Sequence, residues 1–389
     1  MNILLVDHAE HFDLLPLTFT RPASELRVGI LTIREKWERR LDGEYGCLTQ
    51  NYLSAKYTNS FKGEVLLLNG SVCPNPALIR AIEGLEKHES LESDGIVLAQ
   101  RGQASDSGFR SELKVVPFNG GFTHINRPWK IFSTNATELE ADFHLITEGR
   151  DSAALSKTNT ILGDRIFAEE GVEAECAVFN TLSGPVYLGK DSVVMEGSLI
   201  RGGLALCDHA QLKLGTKIYG ATTVGPHSKV GGEVNNSVIT GYSNKGHDGF
   251  LGNSVLGEWC NIGADSNNSN LKNNYDEVKL WSYGRKGFDR TGLQFCGLIM
   301  GDHSKCGINT MFNTGTVVGV SANIFGSGFP RNFVPSFSWG GASGFTTYTF
   351  EKAMATTKLV MERRGIELDE TERDILKHIF EETASYRQK

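Results

Sequence analysis

The sequence predicts an α/β domain followed by a parallel β-helix of hexapeptide repeats and a helical C-terminal tail. Three observations predict it. Short apolar runs alternate with amphipathic stretches over residues 1–150, aliphatic residues recur at every sixth position from about residue 186, and a capped apolar stripe closes the chain. The divisions read as 1–150, 151–349 and 350–389.

In the first part, Ile3-Leu4-Leu5-Val6, Val65 to Leu68 and Ile96 to Ala99 are strand-like, while Val28 to Leu41 and Pro76 to His88 are amphipathic. That alternation is the texture of an α/β domain. Asn75 before Pro76 is a helix start: proline at the first helical position forfeits no hydrogen bond, and the Asn side chain can accept from a free amide. Asn126-Arg127-Pro128-Trp129 breaks the pattern before a helical stretch from Thr137 to Thr147.

In the second part, Leu188, Val194, Ile200, Leu206, Leu212, Ile218, Val224 and Val230 are eight consecutive aliphatic hits at period six. With 40% hydrophobic residues, such a run has a chance of about 0.0007 from a chosen start, so the period is real. Neither a helix nor an alternating strand repeats every six residues. A coil of short strands and tight corners does, because one inward side chain per face stacks on the coil below. The period resumes at Phe250, Leu256 and Ile262, and again at Met300, Cys306, Phe312, Val318 and Ile324. Two interruptions are expected: a phase slip over 231–249 and a polar protruding loop over 264–297. The aromatic and glycine-rich stretch from Gly326 to Trp339 reads as an end-cap. In the tail, Asp369 with Glu372 resembles a capping box, and Ile375, Leu376, Ile379 and Phe380 form one apolar stripe.

Composition narrows the function classes. With 39 basic and 46 acidic residues, the net charge of −7 disfavours broad capture of nucleic acid, so no nucleic-acid partner is expected. Seven scattered cysteines, odd in number and without a CxxC pair, fit reduced thiols and a cytoplasmic location. Met1 to Val6 is too short an apolar run for a signal peptide, and no run reaches the roughly 18 apolar residues of a membrane span; no membrane partner is expected.

The chemistry concentrates where the repeat breaks. Gly241-Tyr242-Ser243-Asn244-Lys245-Gly246-His247-Asp248-Gly249-Phe250-Leu251-Gly252 packs a base, a cation and hydroxyls together, and Cys260-Asn261-Ile262-Gly263-Ala264 and Lys272-Asn273-Asn274-Tyr275-Asp276 follow. These strings resemble the acetyltransferase half of the bifunctional GlmU family, and over the whole chain the order of domains is similar to an alternative bacterial group of GlmU-like proteins. The resemblance implies a left-handed β-helix, a homotrimer with sites at its interfaces, and acetyl transfer from acetyl-CoA to the amine of glucosamine-1-phosphate or a related amino sugar. It places His247 on the general base, Lys245, Phe250 and Asn261 at the sugar phosphate, and Ala264, Asn274, Tyr275 and Lys305 at acetyl-CoA. A sugar ammonium must lose a proton before it attacks a thioester, and an imidazole of near-neutral pKa suits that task. Two positions depart from the family: Asn235 replaces a phosphate-holding lysine, and Phe250 replaces a tyrosine.

The N-terminal part resembles sugar-phosphate nucleotidyltransferases at Leu15-Pro16-Leu17-Thr18, Arg21-Pro22, Leu26-Arg27-Val28-Gly29 and Arg127-Pro128-Trp129. The resemblance implies UTP as a partner, Arg21 and Arg27 as nucleotide-binding residues, and Mg²⁺ as cofactor if the domain is active. Two departures leave that activity open. The family's glycine-rich loop falls on residues 7–13, which hold no glycine, and its metal-binding aspartate falls on Ser71. A non-catalytic trimeric scaffold or regulator that binds a sugar nucleotide is the alternative. A zinc β-helix is a third reading, but His209, His227, His247 and His303 lack the required spacing, and no metal ligands are assigned.

Overall fold

The structure, a computed structural model, describes residues 1–387. By contact the chain divides into two compact units: Met1–Leu14, Thr20–Leu26 and Leu31–Arg127 form the first, and Leu15–Phe19, Arg27–Ile30 and Pro128–Lys389 the second.

The first unit is a six-stranded sheet in the order Glu44–Leu48, Asn2–Val6, Glu64–Asn69, Ile96–Gln103, Glu89–Ser93, Lys114–Pro117. Asn2–Val6 runs parallel to both its neighbours, whereas Ile96–Gln103 is antiparallel to both of its own. Leu4, Leu5, Leu67 and Leu68 are fully buried, as a continuous apolar strand flanked on both faces requires. The helix Pro76–Glu83 begins where expected, with the Asn75 side chain accepting from the Leu78 amide at 2.9 Å, but it ends at Gly84, four residues short of His88. The stretch from Val28 to Leu41 keeps only a short helix, Ile33–Glu38, started by a Thr32/Glu35 capping box.

Within the second unit, the first helix spans Pro128–Thr147 rather than starting at Thr137. Pro128 at its first position explains the earlier start, since the motif that breaks the preceding chain also nucleates the helix. Its buried polar face ties down the segment Arg27–Ile30. The Asn135 Oδ1 accepts from the Gly29 amide at 2.7 Å, and Asp142 Oδ2 from the Ile30 amide at 2.9 Å. Thr223 Oγ1, on the coil, donates to the Gly29 carbonyl at 2.7 Å.

From Thr160 to Gly341 the chain winds as a parallel β-solenoid, its short strands stacking into sheets of nine, ten and six. Parallel register stacks Leu188, Leu206, Val224, Ile239, Leu256, Met300, Val318 and Val334 on one inner face. All eight are completely buried, so the six-residue period is the inward column of each face.

The phase slip over 231–249 has a local cause, and two other sequence expectations are corrected. Residues 231–249 do not leave the coil: Glu233–Asn235, Val238–Gly241 and Asn244–Lys245 are strands in register with those below. The phase slips because the corner after Val230 is cut short by Gly231-Gly232. A Cβ on Gly231 would lie 2.8 Å from the Gly246 carbonyl oxygen, and one on Gly232, at φ +73°, 2.8 Å from the His247 oxygen. We expect Gly232→Ala to destabilise the protein by about 2 kcal/mol through backbone strain and this clash, read as a lowered denaturation midpoint. An unchanged midpoint would mean that this corner yields freely.

The loop expected over 264–297 is only partly a protrusion. Asn267–Asn268 pairs with Met311–Phe312, and a hairpin, Lys279–Ser282 with Gly287–Arg290, follows. Val278, Leu280 and Tyr283 are buried, and Trp281 stacks on Phe333 at 4.2 Å; these few apolar residues hold a mostly polar insertion against the coil. Nor is the stretch to Trp339 a cap, since Phe333–Val334 and Ser338–Gly341 form a further coil. Helices Phe350–Glu362 and Glu370–Glu382 follow it, the latter capped by Asp369, which accepts from the Glu372 amide at 2.7 Å.

Candidate active site

The two-residue strands of one solenoid face alternate outward and inward. Register aligns Lys229, Asn244, Asn261 and Lys305 in one row, while Val230, Lys245, Ile262 and Cys306 turn inward and are buried. The outward row floors a crevice of about 790 Å³ whose walls include His247, Ala264 and, from the helix Phe350–Glu362 and the residues after it, Thr356, Val360, Arg363 and Arg364. His247, Asn261, Ala264 and Lys305 are thus brought together. His247 is exposed, and among the described residues its ring makes no hydrogen bond.

Tyr242 and Trp259, which line the crevice, belong to a column of rings at a single corner of the solenoid. His209, His227, Tyr242 and Trp259 stack at 4.7, 4.7 and 4.4 Å between centroids, with His303 a further 6.3 Å on. Each of the five holds a positive φ, between 49° and 61°. Residues in that conformation usually carry small or polar side chains; here ring-on-ring contact offsets the cost.

Lys245 is the residue whose expected role changes. It sits 1% exposed at an inward position, its stem packed where its neighbours in the column place Val230 and Ile262. Its ammonium donates to the carbonyls of Gly231 at 3.0 Å and His247 at 2.5 Å. It therefore holds the His247 corner from beneath, with its ammonium turned to these two carbonyls. Counting six from Ile239 would have found this inward position. Burial pushes its pKa down from 10.5 to about 8, against the opposing pull of the Asp248, Cys306 and Asp265 charges.

Above pH 8 the folded protein sheds this proton, while the unfolded chain keeps it until about 10.5, so rising pH favours the wild-type fold. We expect the Tm of Lys245→Met relative to wild type to fall as pH rises from 7 to 10. The buried thiols are common to both proteins and cancel. A pH-independent difference would show that the amine keeps its charge throughout.

Phe250, Asn274 and Tyr275 do not line the crevice. Phe250 borders a separate small cavity with Leu251 and Phe312. Asn274 and Tyr275 lie at the start of the insertion, Tyr275 being 65% exposed and Asn274 donating to the Asp276 carboxylate at 2.5 Å. Lys305 lines the crevice and donates to the His303 carbonyl at 2.9 Å, with burial pushing its pKa to about 8. Sequence reasoning missed Lys213, Lys229, Arg363 and Arg364. The period marks the two lysines as flanking inward positions, but nothing local shows that the tail helix comes to lie opposite them.

In the first unit, Asp7 at the end of the strand Asn2–Val6 accepts from the Ala23 amide at 3.0 Å and from Thr49 Oγ1 at 2.7 Å, and pairs with His11 at 2.7 Å. Ser71 donates to Asn69 Oδ1 at 2.7 Å, and His124 Nε2 lies 3.1 Å from both Ser71 Oγ and Glu10 Oε1. Burial would raise the Glu10 pKa, but the hydrogen bond and charge of His124 outweigh it and hold the carboxyl low. Residues 3–151 match the family model for sugar nucleotidyl transferases. They form a sugar nucleotidyl transferase domain.

The matched range of this sugar nucleotidyl transferase domain runs through the first unit and on through the helix Pro128–Thr147. Arg21 lies in the first unit and Arg27 in the second, where the Arg27 guanidinium donates to the Ile30 carbonyl. Gly29, in the same motif, leaves room for Asp142, whose Oδ2 would stand 2.5 Å from a Cβ there. Curated relatives are of one kind. The chain is 27% identical over 215 residues, 55% of its length and 47% of the relative's, to the bifunctional sugar-1-phosphate nucleotidylyltransferase/acetyltransferase of Sulfurisphaera tokodaii. It is also 27% identical to the bifunctional protein GlmU of Methanocaldococcus jannaschii over 219 residues, and to that of Methanococcus vannielii over 224. These matches cover 54% and 55% of this chain and 44% and 45% of those proteins. The chain thus spans just under half the length of each. Among the described residues no helix is long and apolar enough to cross a membrane.

Proposed function

We propose that the β-solenoid is an acetyltransferase acting on an amino-sugar phosphate, with acetyl-CoA as donor and His247 as general base. The observation that carries this is the single crevice joining an exposed, unbonded imidazole to Asn261, Ala264 and Lys305. In the step, His247 takes a proton from the sugar ammonium, and the freed amine attacks the thioester carbonyl carbon. The new C–N bond forms as the C–S bond breaks, and the CoA thiolate leaves to be reprotonated. Asn261, outward in the row, would orient the sugar, and Ala264 and Lys305 would border the CoA. Phe250, Asn274 and Tyr275, which do not line this crevice, would act through a neighbouring copy in a homotrimer. That assembly, a cytoplasmic location and the functional divisions 1–150, 151–349 and 350–389 belong to the same reading.

For the N-terminal domain we favour nucleotide or sugar-phosphate binding over nucleotidyl transfer, with Arg21 of the first unit and Arg27 of the second each a separate candidate contact. Its donor set does not fit a magnesium site. Ser71 offers a hydroxyl turned to Asn69, and Asp7 is already engaged by three donors. Magnesium prefers carboxylate oxygen in octahedral geometry. The test is a reaction of the purified chain with glucosamine-1-phosphate, acetyl-CoA and UTP, with products separated. We expect the acetylated sugar phosphate without the nucleotide sugar. Absence of both would favour the scaffold reading.

A further inference from the structure

The crevice wall carries a charge pattern that the acetyl-transfer step does not use. Five of its lining residues are cations, and none is Asp or Glu. Lys213 reaches Gln211 Oε1 at 3.1 Å and Arg364 reaches Asn244 Oδ1 at 3.2 Å. Among the described residues, Lys213, Lys229, Arg363 and Arg364 form no ion pair with a carboxylate. They also feel one another. Burial lowers the pKa of Lys229, and the charges of Arg364, Lys213 and Arg363 lower it further; burial and then Arg363 lower that of Arg364.

Like charges gathered on a half-buried wall cost stability unless something offsets them. Position after the helix Phe350–Glu362 accounts for part of the cluster, since a helix C-terminus favours Arg363 and Arg364. It does not account for Lys213 and Lys229, which stand on the coil face across from them.

We propose that Lys213, Lys229, Arg363 and Arg364 form a phosphate-binding subsite, closed by the chain's own C-terminal helix, that holds a phosphate monoester in the crevice that His247 also lines. Guanidinium forks and ammonium groups converging without a carboxylate match a dianionic oxyanion. The inference rests on the crevice being the transfer site, where two substrates carry such a group: the sugar 1-phosphate, and CoA through its 3′-phosphate.

Titration calorimetry of the full chain with CoA, dephospho-CoA and glucosamine-1-phosphate separates these sources. We expect Lys229→Gln and Arg364→Gln each to weaken one phosphate-bearing ligand about tenfold. If CoA is affected and dephospho-CoA is not, the group is the 3′-phosphate; if glucosamine-1-phosphate is affected, it is the sugar's. Without ligand, at low salt, Lys229→Gln should melt higher than wild type, because it removes a charge repelled by Arg364, Lys213 and Arg363; a purely structural lysine would give a lower melt. Variants that bind all three ligands as wild type does, or a wild type that binds none, would overturn the subsite. If Arg364→Gln does not fold, Lys229→Gln decides. Turnover enters none of these readouts, so an inactive protein that still binds phosphate through these residues would sink the acetyl-transfer reading alone.

Discussion

His247→Ala should lower acetyl transfer by about 10²–10⁴-fold, the range for loss of a positioned general base, and leave the Tm within a degree or so of wild type. The expected stability follows from the structure: the imidazole is exposed, its ring makes no hydrogen bond among the described residues, and the corner that carries it is held by backbone and by the Lys245 ammonium on the His247 carbonyl. Activity and stability are therefore separable at this position. Steady-state kinetics beside a thermal melt checks both. Turnover retained in a folded variant would place the base on another residue, whereas a large fall in Tm would assign the imidazole a packing role.

The largest effect on stability should come from Asn135→Leu, which we expect to cost about 3 kcal/mol. Asn135 is wholly buried. Its oxygen accepts from the Gly29 amide, and its nitrogen donates to the Ala221 carbonyl at 2.9 Å and Thr223 Oγ1 at 3.1 Å. Leucine keeps the branched heavy-atom skeleton and is bulkier, so no cavity opens, but the Gly29 donor and the Ala221 acceptor are stranded away from water, each costing about 1–3 kcal/mol. Urea denaturation with an unchanged m-value would measure it. A cost below about 1 kcal/mol would show that the segment Arg27–Ile30 can shift to find other partners.

How much of this was legible beforehand differs by element. The solenoid was, because burying one residue in six leaves a trace that does not depend on distant parts of the chain. Its corners were not: Gly231-Gly232 shortens a turn, and the count goes out of phase just where His247 lies, so the inward position of Lys245 is hidden behind its expected place at the sugar phosphate. Its long aliphatic stem allows a charged residue to occupy an aliphatic slot, which a hydrophobicity pattern cannot show. In the motif Leu26-Arg27-Val28-Gly29, the close packing of Gly29 against Asp142 was not legible, because it depends on a helix more than a hundred residues further on. For the C-terminal helices, an apolar stripe announces a buried face without naming its partner, and the role of Arg363 and Arg364 depends wholly on that partner.

The ring column along the crevice has an optical consequence. Trp259 is 7% exposed and sandwiched with Tyr242 in a line of imidazoles, and the residues beside it floor the crevice. Its indole emission should then be sensitive to protonation of those imidazoles and to displacement of water by a bound molecule. The protein carries its own fluorophore at the place where a ligand would enter, and substrate arrival could be followed by stopped-flow emission without any attached dye.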